Sequence, residues 1–414
     1  MINLQYKILS LYLFFFIGSA YGQNSLETDS LIVNSPDYKE VRIDPDYVEE
    51  VLESKITDSI KYIFLETTKE SEFTSITQLA VTDSHYIIFD RKLQTIYFFT
   101  KDGRYFHKLT KQNKNNPDSF TYAVGFVLDY DSEVLSVDDI HSESTYEFNL
   151  EGKFIHKIKR EIYPISDYSY FENLKLVYYN FNSHQSANQY TSNPSSRKTS
   201  RLEPNLVIYH NNGEVFQQHL WFNPDNVDPD EFYTFRNFYV SNRNEVLFSR
   251  SLDNTIYSYN SNLKLQRLIK IILPIQNSMP EDFLTNALYD NKRREYQRTN
   301  SNISNKIDNV FKINYWVTAS LTRRKHVLVN LGTGDLFDID GIISNDLGLT
   351  LQGNYTAFHG VDNNAFIVSI PFLTLKYKYD QLSKQEKSRV DASLKNVAIK
   401  PYQNPILKLL YVKN

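Results

Sequence analysis

Residues Ser59–Leu109 read SIKYIFLETTKESEFTSITQLAVTDSHYIIFDRKLQTIYFFTKDGRYFHKL. Inside this stretch lie four short runs: Ile76–Thr82, Tyr86–Arg91, Thr95–Thr100 and Tyr105–Thr110. Each is rich in β-branched and aromatic residues, which suit a pleated, half-buried surface. The connections DSH, KLQ and KDG are tight, and Asp102–Gly103 is a hairpin signal because glycine tolerates a positive φ. Four even strands joined by tight turns make one antiparallel sheet.

The same grammar returns along the chain. Val134–Ile158 repeats it, with EGKFIHKI answering DGRYFHKL and Gly152 following Gly103 by 49 residues. Asn205–Leu220 places Gly213 at the same point, and Glu245–Leu265 carries Asn262 at the turn, again 49 residues on. The gap from 152 to 213 is longer by twelve residues, and the excess is the Ser/Asn-rich Asn182–Ser200, which cannot bury a core and reads as a flexible insertion. A fifth unit contains NYWVTASLT, KHVLVNL and DLFDID, and a sixth contains NAFIVSIP and PILKLLYVK. A four-stranded unit repeated at about 49 residues predicts an all-β fold, a six-bladed β-propeller with four-stranded antiparallel blades. SIKYIFLETT precedes the first unit as a spare strand. A ring removes its edges by closing, so this N-terminal strand is expected to complete the last blade. Two short helical insertions are predicted at Pro280–Gln297 and Leu382–Val397, the second opened by a Ser383-x-x-Glu386 capping box.

The organisation that follows is an export signal over 1–22, a polar lead-in over 23–58 and the propeller over 59–414. Lys7, the apolar Ile8–Gly18 and the small residues Ala20 and Gly22 carry the signal-peptide reading. Its removal leaves a net charge of −5. That charge lacks the basic excess that nucleic acid requires. The chain has no cysteine, which excludes disulfides, a cysteine nucleophile and a lipoprotein anchor. No later apolar run is long enough to span a membrane, so the expectation is a periplasmic or extracellular protein.

The order of LETT (Leu65–Thr68), IYFFTKDG, ISNDLG (Ile343–Gly348) and the terminal NPILKLLYV resembles a family of six-bladed propellers common in secreted and lipid-anchored proteins of Bacteroidetes, relatives of NHL-type propellers. The resemblance covers roughly residues 50–414. It implies the six-bladed fold and export, and it brings no catalytic residues. A Gly-x-Gly-Pro-x-x-Tyr stretch typical of that family is replaced here by Lys114–Phe120, KNNPDSF, which keeps Pro117 and an aromatic but loses the glycines.

Catalytic spacings are absent: there is no His-Glu-x-x-His, no Gly-x-Ser-x-Gly in the mature chain and no EF-hand loop. Gly332–Gly334 reads as a hairpin turn, and Asn223–Glu231 as a solvated acidic connector. His107 and His156 match in two blades but fall on outermost strands. No cofactor is identified. Calcium is the only ion considered, at Phe337–Gly341 (FDIDG), which lacks the bidentate Glu of a calcium loop. The candidate ligand-binding residues come from propeller geometry, which opens the loop between second and third strands on the channel face. They are Asp90, Arg91, Asp138, Asp139, Arg250 and Arg323, with Phe120 from the connection between blades. The expected function is a non-catalytic binding or scaffold module for a glycan, peptide or protein partner. The alternative is a metal-dependent hydrolase or lyase with ligands converging in the channel.

Overall fold

The computed structural model describes residues 32–112, 118–159, 167–179, 202–223, 236–321 except 285, 290 and 291, 325–344, 350–351 and 358–413 except 391, 393–394 and 397–401. Six sheets follow one another in a ring. Blade 1 is formed by Gln78–Val81, His85–Asp90, Thr95–Thr100 and Tyr105–Thr110, in that order from the axis outward. Blades 2, 3 and 4 repeat the order over 123–159, 167–222 and 238–272. First strands meet near the axis, 123–129 against 167–171 and 78–81 against 358–362. In blade 5 the first strand is broken into Ile307–Asp308 and Lys312–Ile313, and the first strands of blades 4 and 6 touch.

Burial explains why some strands read as unbroken apolar runs. Third strands such as Thr95–Thr100 are covered on both faces by neighbouring blades, so five of its six residues are buried. The outer Tyr105–Thr110 is only partly covered and keeps polar residues. Gly103 lies at φ +87, and a Cβ there would collide with the Phe64 carbonyl. The turn therefore needs glycine both for its backbone and for the approach of the closing strand. In blade 4 the matching left-handed residue is Leu263, at φ 52, one position after Asn262.

Closure happens as the spare strand suggests. Thr57–Phe64 is the outermost strand of blade 6 and pairs antiparallel with Ile406–Val412, Tyr62 opposite Lys408. The lead-in also carries strands that its polar sequence did not announce. Val33–Arg42 runs parallel along Leu265–Ile272 of blade 4, and Glu49–Leu52 parallel along Leu336–Ile343 of blade 5. An edge strand is paired on one side only, and the pattern of Val33–Arg42 is mostly exposed, so its residues stay polar.

The helical insertions differ in detail from the expectation. Residues 280–297 form turns and a short 3-10 stretch, with an α-helix only over Arg293–Thr299. The capping box is present: Glu386 N–H donates to Ser383 Oγ (3.3 Å) and Ser383 N–H to Glu386 Oε2 (2.8 Å), opening the helix Lys384–Arg389. An additional helix, Phe372–Gln381, precedes it. Its FLTLKYKYDQ sequence is rich in strand-forming residues, but burial of Phe372 and Leu375 against Ile370 and Ile406 fixes it as a helix. No helix among the described residues is long and apolar enough to cross a membrane.

Candidate functional site

Antiparallel blades have two faces, and the chain treats them differently. Connections from first to second strands, and in blades 1 to 5 from third to fourth strands, are all two to five residues long. Those from second to third strands and from blade to blade open on the other face. They include 179–202, 273–306 and 371–405. Long connections collect where binding does.

A cavity of about 730 Å³ lies along the axis and in the crevice between blades 2 and 3, lined from Arg91 on that face to Gly213 on the opposite one. Residues of all six blades line it, among them Arg91, Asp138, Asp167, Arg236, Phe311 and Val361. The crevice exists because this seam is thinly filled. Blades 1 and 2 share a large apolar cluster from Ile87 to Leu150, whereas blades 2 and 3 share only a small one around Tyr168, Val177, Tyr179 and Val207.

Polar groups fill the rest of the seam. Lys175 Nζ lies 4.4 Å from the Tyr168 ring centroid and 5.7 Å from that of Tyr170, a cation–π arrangement. Burial pushes the Lys175 ammonium down, while Asp138 and Glu147 pull it back up. Thr145 Oγ1 donates to Asp138 (2.6 Å), and Ser136 Oγ to Glu147 (3.4 Å). Burial raises both tyrosines, Tyr170 to about 12, so both stay neutral.

The axial end is built around Arg236. Its guanidinium lies 5.2 Å from the Tyr239 ring and 5.6 Å from Phe311. Asp167, at the start of blade 3, accepts the backbone amides of Asn237 (2.5 Å) and Phe238 (3.0 Å) in blade 4. Burial raises its carboxyl to about 6 in spite of these donors. His359 bonds Ser369 Oγ through Nε2 (2.7 Å), and burial together with the Arg236 charge lowers it to about 4.

Inner strand edges would otherwise offer free backbone groups to the channel. Gln78 caps one on blade 2, donating to Phe126 O (2.6 Å) and accepting from Phe126 N–H (3.0 Å). Gln94 does the same at Ala123, at 3.2 and 2.7 Å.

Of the residues singled out from sequence, Arg91 and Asp138 line the cavity. Asp90 and Asp139 lie deeper, as paired turn anchors. Asp90 accepts from Thr74 N–H (2.6 Å), Thr74 Oγ1 (2.7 Å), Ser75 N–H (3.2 Å) and Leu93 N–H (3.0 Å). Asp139 accepts from Thr121 N–H (2.5 Å), Thr121 Oγ1 (2.9 Å), His141 N–H (2.8 Å) and Ser142 N–H (3.3 Å). Arg250 pairs with Asp253 (3.1 Å) inside blade 4. Phe120 is fully buried in the cluster between blades 1 and 2. Arg323, the 1–22 segment and the Asn182–Ser200 insertion lie outside the described residues, as do Lys114–Pro117 and all but Asn223 of Asn223–Glu231. His107 and His156 sit on separate outer strands, His107 bonded to Leu150 O (2.9 Å) and His156 to Glu147 (3.3 Å). Asp338 of FDIDG is paired with Lys325 inside a strand. Among the described residues no three His, Asp or Glu side chains are grouped to hold a metal ion. Sequence reasoning missed Tyr168, Tyr170, Lys175 and Arg236. The alternation Tyr168-x-Tyr170 on a first strand is the signal that could have pointed to the crevice.

The family profile of DUF4934, a domain of unknown function, matches residues 40–411. The chain belongs to the DUF4934 family. The DUF4934 ring is similar to a Bacteroides fragilis protein solved as a candidate exported protein, at 14% identity and a TM-score of 0.64, covering 91% of this chain and 100% of that one. A DUF4221-family structure from Bacteroides vulgatus is similar at 10% identity and a TM-score of 0.44, covering 89% and 99%. No curated protein matches the DUF4934 chain in sequence. The family and the fold are those that the sequence resemblance implies.

Proposed function

We propose that this DUF4934 protein is an exported, non-catalytic binding propeller whose ligand enters the cavity from the face that bears the long connections. The cavity carries the reading. Its volume of about 730 Å³ is that of a ligand site. Its lining mixes aromatic rings with a few convergent charges, as specific recognition needs. The signal-like Lys7–Gly22 supports export, as does the likeness to a candidate exported protein. A metal-dependent enzyme would need carboxylates or histidines converging from several blades. The axial groups instead point to binding: Asp167 is held by backbone amides and His359 by Ser369.

The test is thermal unfolding of residues 23–414 against oligosaccharide and peptide panels, with calcium and with EDTA. A ligand that binds only the folded state stabilises it by about 2.7 kcal/mol at a hundred times its dissociation constant. A shift from one ligand class, abolished by Tyr170→Ala and Lys175→Ala, is the expected result. A midpoint that falls with EDTA and recovers with calcium would overturn the reading in favour of a metal site.

A further inference from the structure

Arg236 is a cation on the axial part of the cavity lining. It forms no ion pair among the described residues, and its guanidinium lies against the rings of Tyr239 and Phe311. The carboxylates that share its surroundings are engaged elsewhere. Asp308 takes Lys306 Nζ at 2.7 Å and the Tyr239 hydroxyl at 3.1 Å, and Asp167 takes backbone amides. His359 is neutral near pH 7, so it neither competes for an anion nor adds a second charge.

We propose that the channel is a carboxylate site: Arg236 takes the carboxylate of a sugar acid whose hydroxylated body lies in the crevice between blades 2 and 3. This rests on the binding reading above and names its ligand class.

Three observations choose that class. The planar guanidinium matches a carboxylate with two parallel hydrogen bonds. The cavity is lined by four cations, Arg91, Lys159, Lys175 and Arg236, and by three carboxylates, Asp138, Glu147 and Asp167, a formal balance of +1 that suits a monoanion. A phosphate dianion would exceed that balance. The crevice presents carboxylate acceptors, which suit ligand hydroxyls. An extended peptide would look instead for free strand edges, and on blade 2 the side chains of Gln78 and Gln94 already occupy them.

The experiment is calorimetric titration of residues 23–414 at pH 7. The probes are di- and trimers of galacturonate and glucuronate, the corresponding neutral galactose and glucose oligomers, inorganic phosphate and sulfate, and a tripeptide with its C-terminal amide. At least one acidic oligomer is expected to bind tenfold or more tightly than its neutral counterpart. Arg236→Met keeps an apolar stem against Phe311 and is expected to abolish that preference. Arg236→Lys keeps the charge without the fork and should retain part of it. A melting midpoint near that of the unaltered protein certifies each variant as folded.

Equal binding of acidic and neutral sugars would overturn the carboxylate site and leave the binding reading standing. So would a preference that survives Arg236→Met. Binding of the tripeptide, lost on amidation, would replace the sugar acid with a peptide end. Binding of phosphate or sulfate alone would replace the carboxylate. Failure of every probe would overturn both readings.

Discussion

Asp90 and Asp139 occupy equivalent corners of blades 1 and 2, each accepting four hydrogen bonds, some from the lead into a first strand and the rest from the turn after its own second strand. Burial disfavours their charge, but the donors outweigh it and hold both carboxyls below the usual range. Asp139→Asn leaves an amide facing two backbone N–H groups, at a cost of about 2–3 kcal/mol. Urea unfolding at pH 7 measures it. A depressed carboxyl stabilises the fold above its unfolded value and loses that contribution as pH falls through the folded one. The variant should therefore flatten the stability curve below about pH 4. Asp167 has the opposite sign. Its carboxyl rises from 3.8 to about 6, so its contribution is complete below 3.8 and is lost as pH climbs through 6. Asp167→Asn should remove a decline in melting midpoint between pH 4 and 7, and calorimetry across that range would show it. At this scale the sequence located polar corners but not their direction. An Asp at a strand end looks the same whether it anchors a turn, as Asp139 does, or faces a cavity, as Asp138 does. Arg236 and Lys175 became visible only when strands from different blades were brought together.

The N-terminal arm is held by packing and by one buried ion pair. Glu53 Oε1 and Lys408 Nζ lie 2.6 Å apart with side-chain exposures of 0% and 1%, joining the arm to the central strand of blade 6. Breaking such a pair strands a charge in the interior, so Lys408→Met should cost about 3–5 kcal/mol. Glu53→Leu with Lys408→Met should recover most of that loss in urea unfolding, because an apolar pair of similar volume leaves no unpaired charge. Deleting residues 32–52 removes buried Ile32, Ile43 and Val51 and strips the parallel partners from blades 4 and 5. The expected outcome is a loss of roughly 5–9 kcal/mol from the three side chains. Self-association through the bared edges, read by gel filtration, should accompany it. The closing strand was legible because SIKYIFLETT is apolar and surplus to the four-strand count. The two arm strands were not, because a strand paired on one side writes no apolar run. The Phe372–Gln381 helix was hidden by its aromatic and β-branched residues, whose local preference tertiary packing overrides.

Across the whole molecule, repetition fixed the ring, and the departures from repetition made the cavity. Period and turn glycines reveal blades, since every blade must satisfy the same hydrogen-bonding and packing demands. A crevice needs two neighbours to fit badly, and that is a property of a pair of blades some fifty residues apart. The arm also has a consequence in time. Its strands pair with residues 265–272, then 336–343, then 406–412. During synthesis from the N-terminus, the arm segments must remain unpartnered until those late residues emerge, and then they lock in the order in which they were made. Chains ending at 280, 350 and 413 should protect 33–42, then 49–52, then 57–64 from protease in turn. The arm would thus record how much of the ring has been delivered, and its last strand would be secured only when residues 406–412 are out.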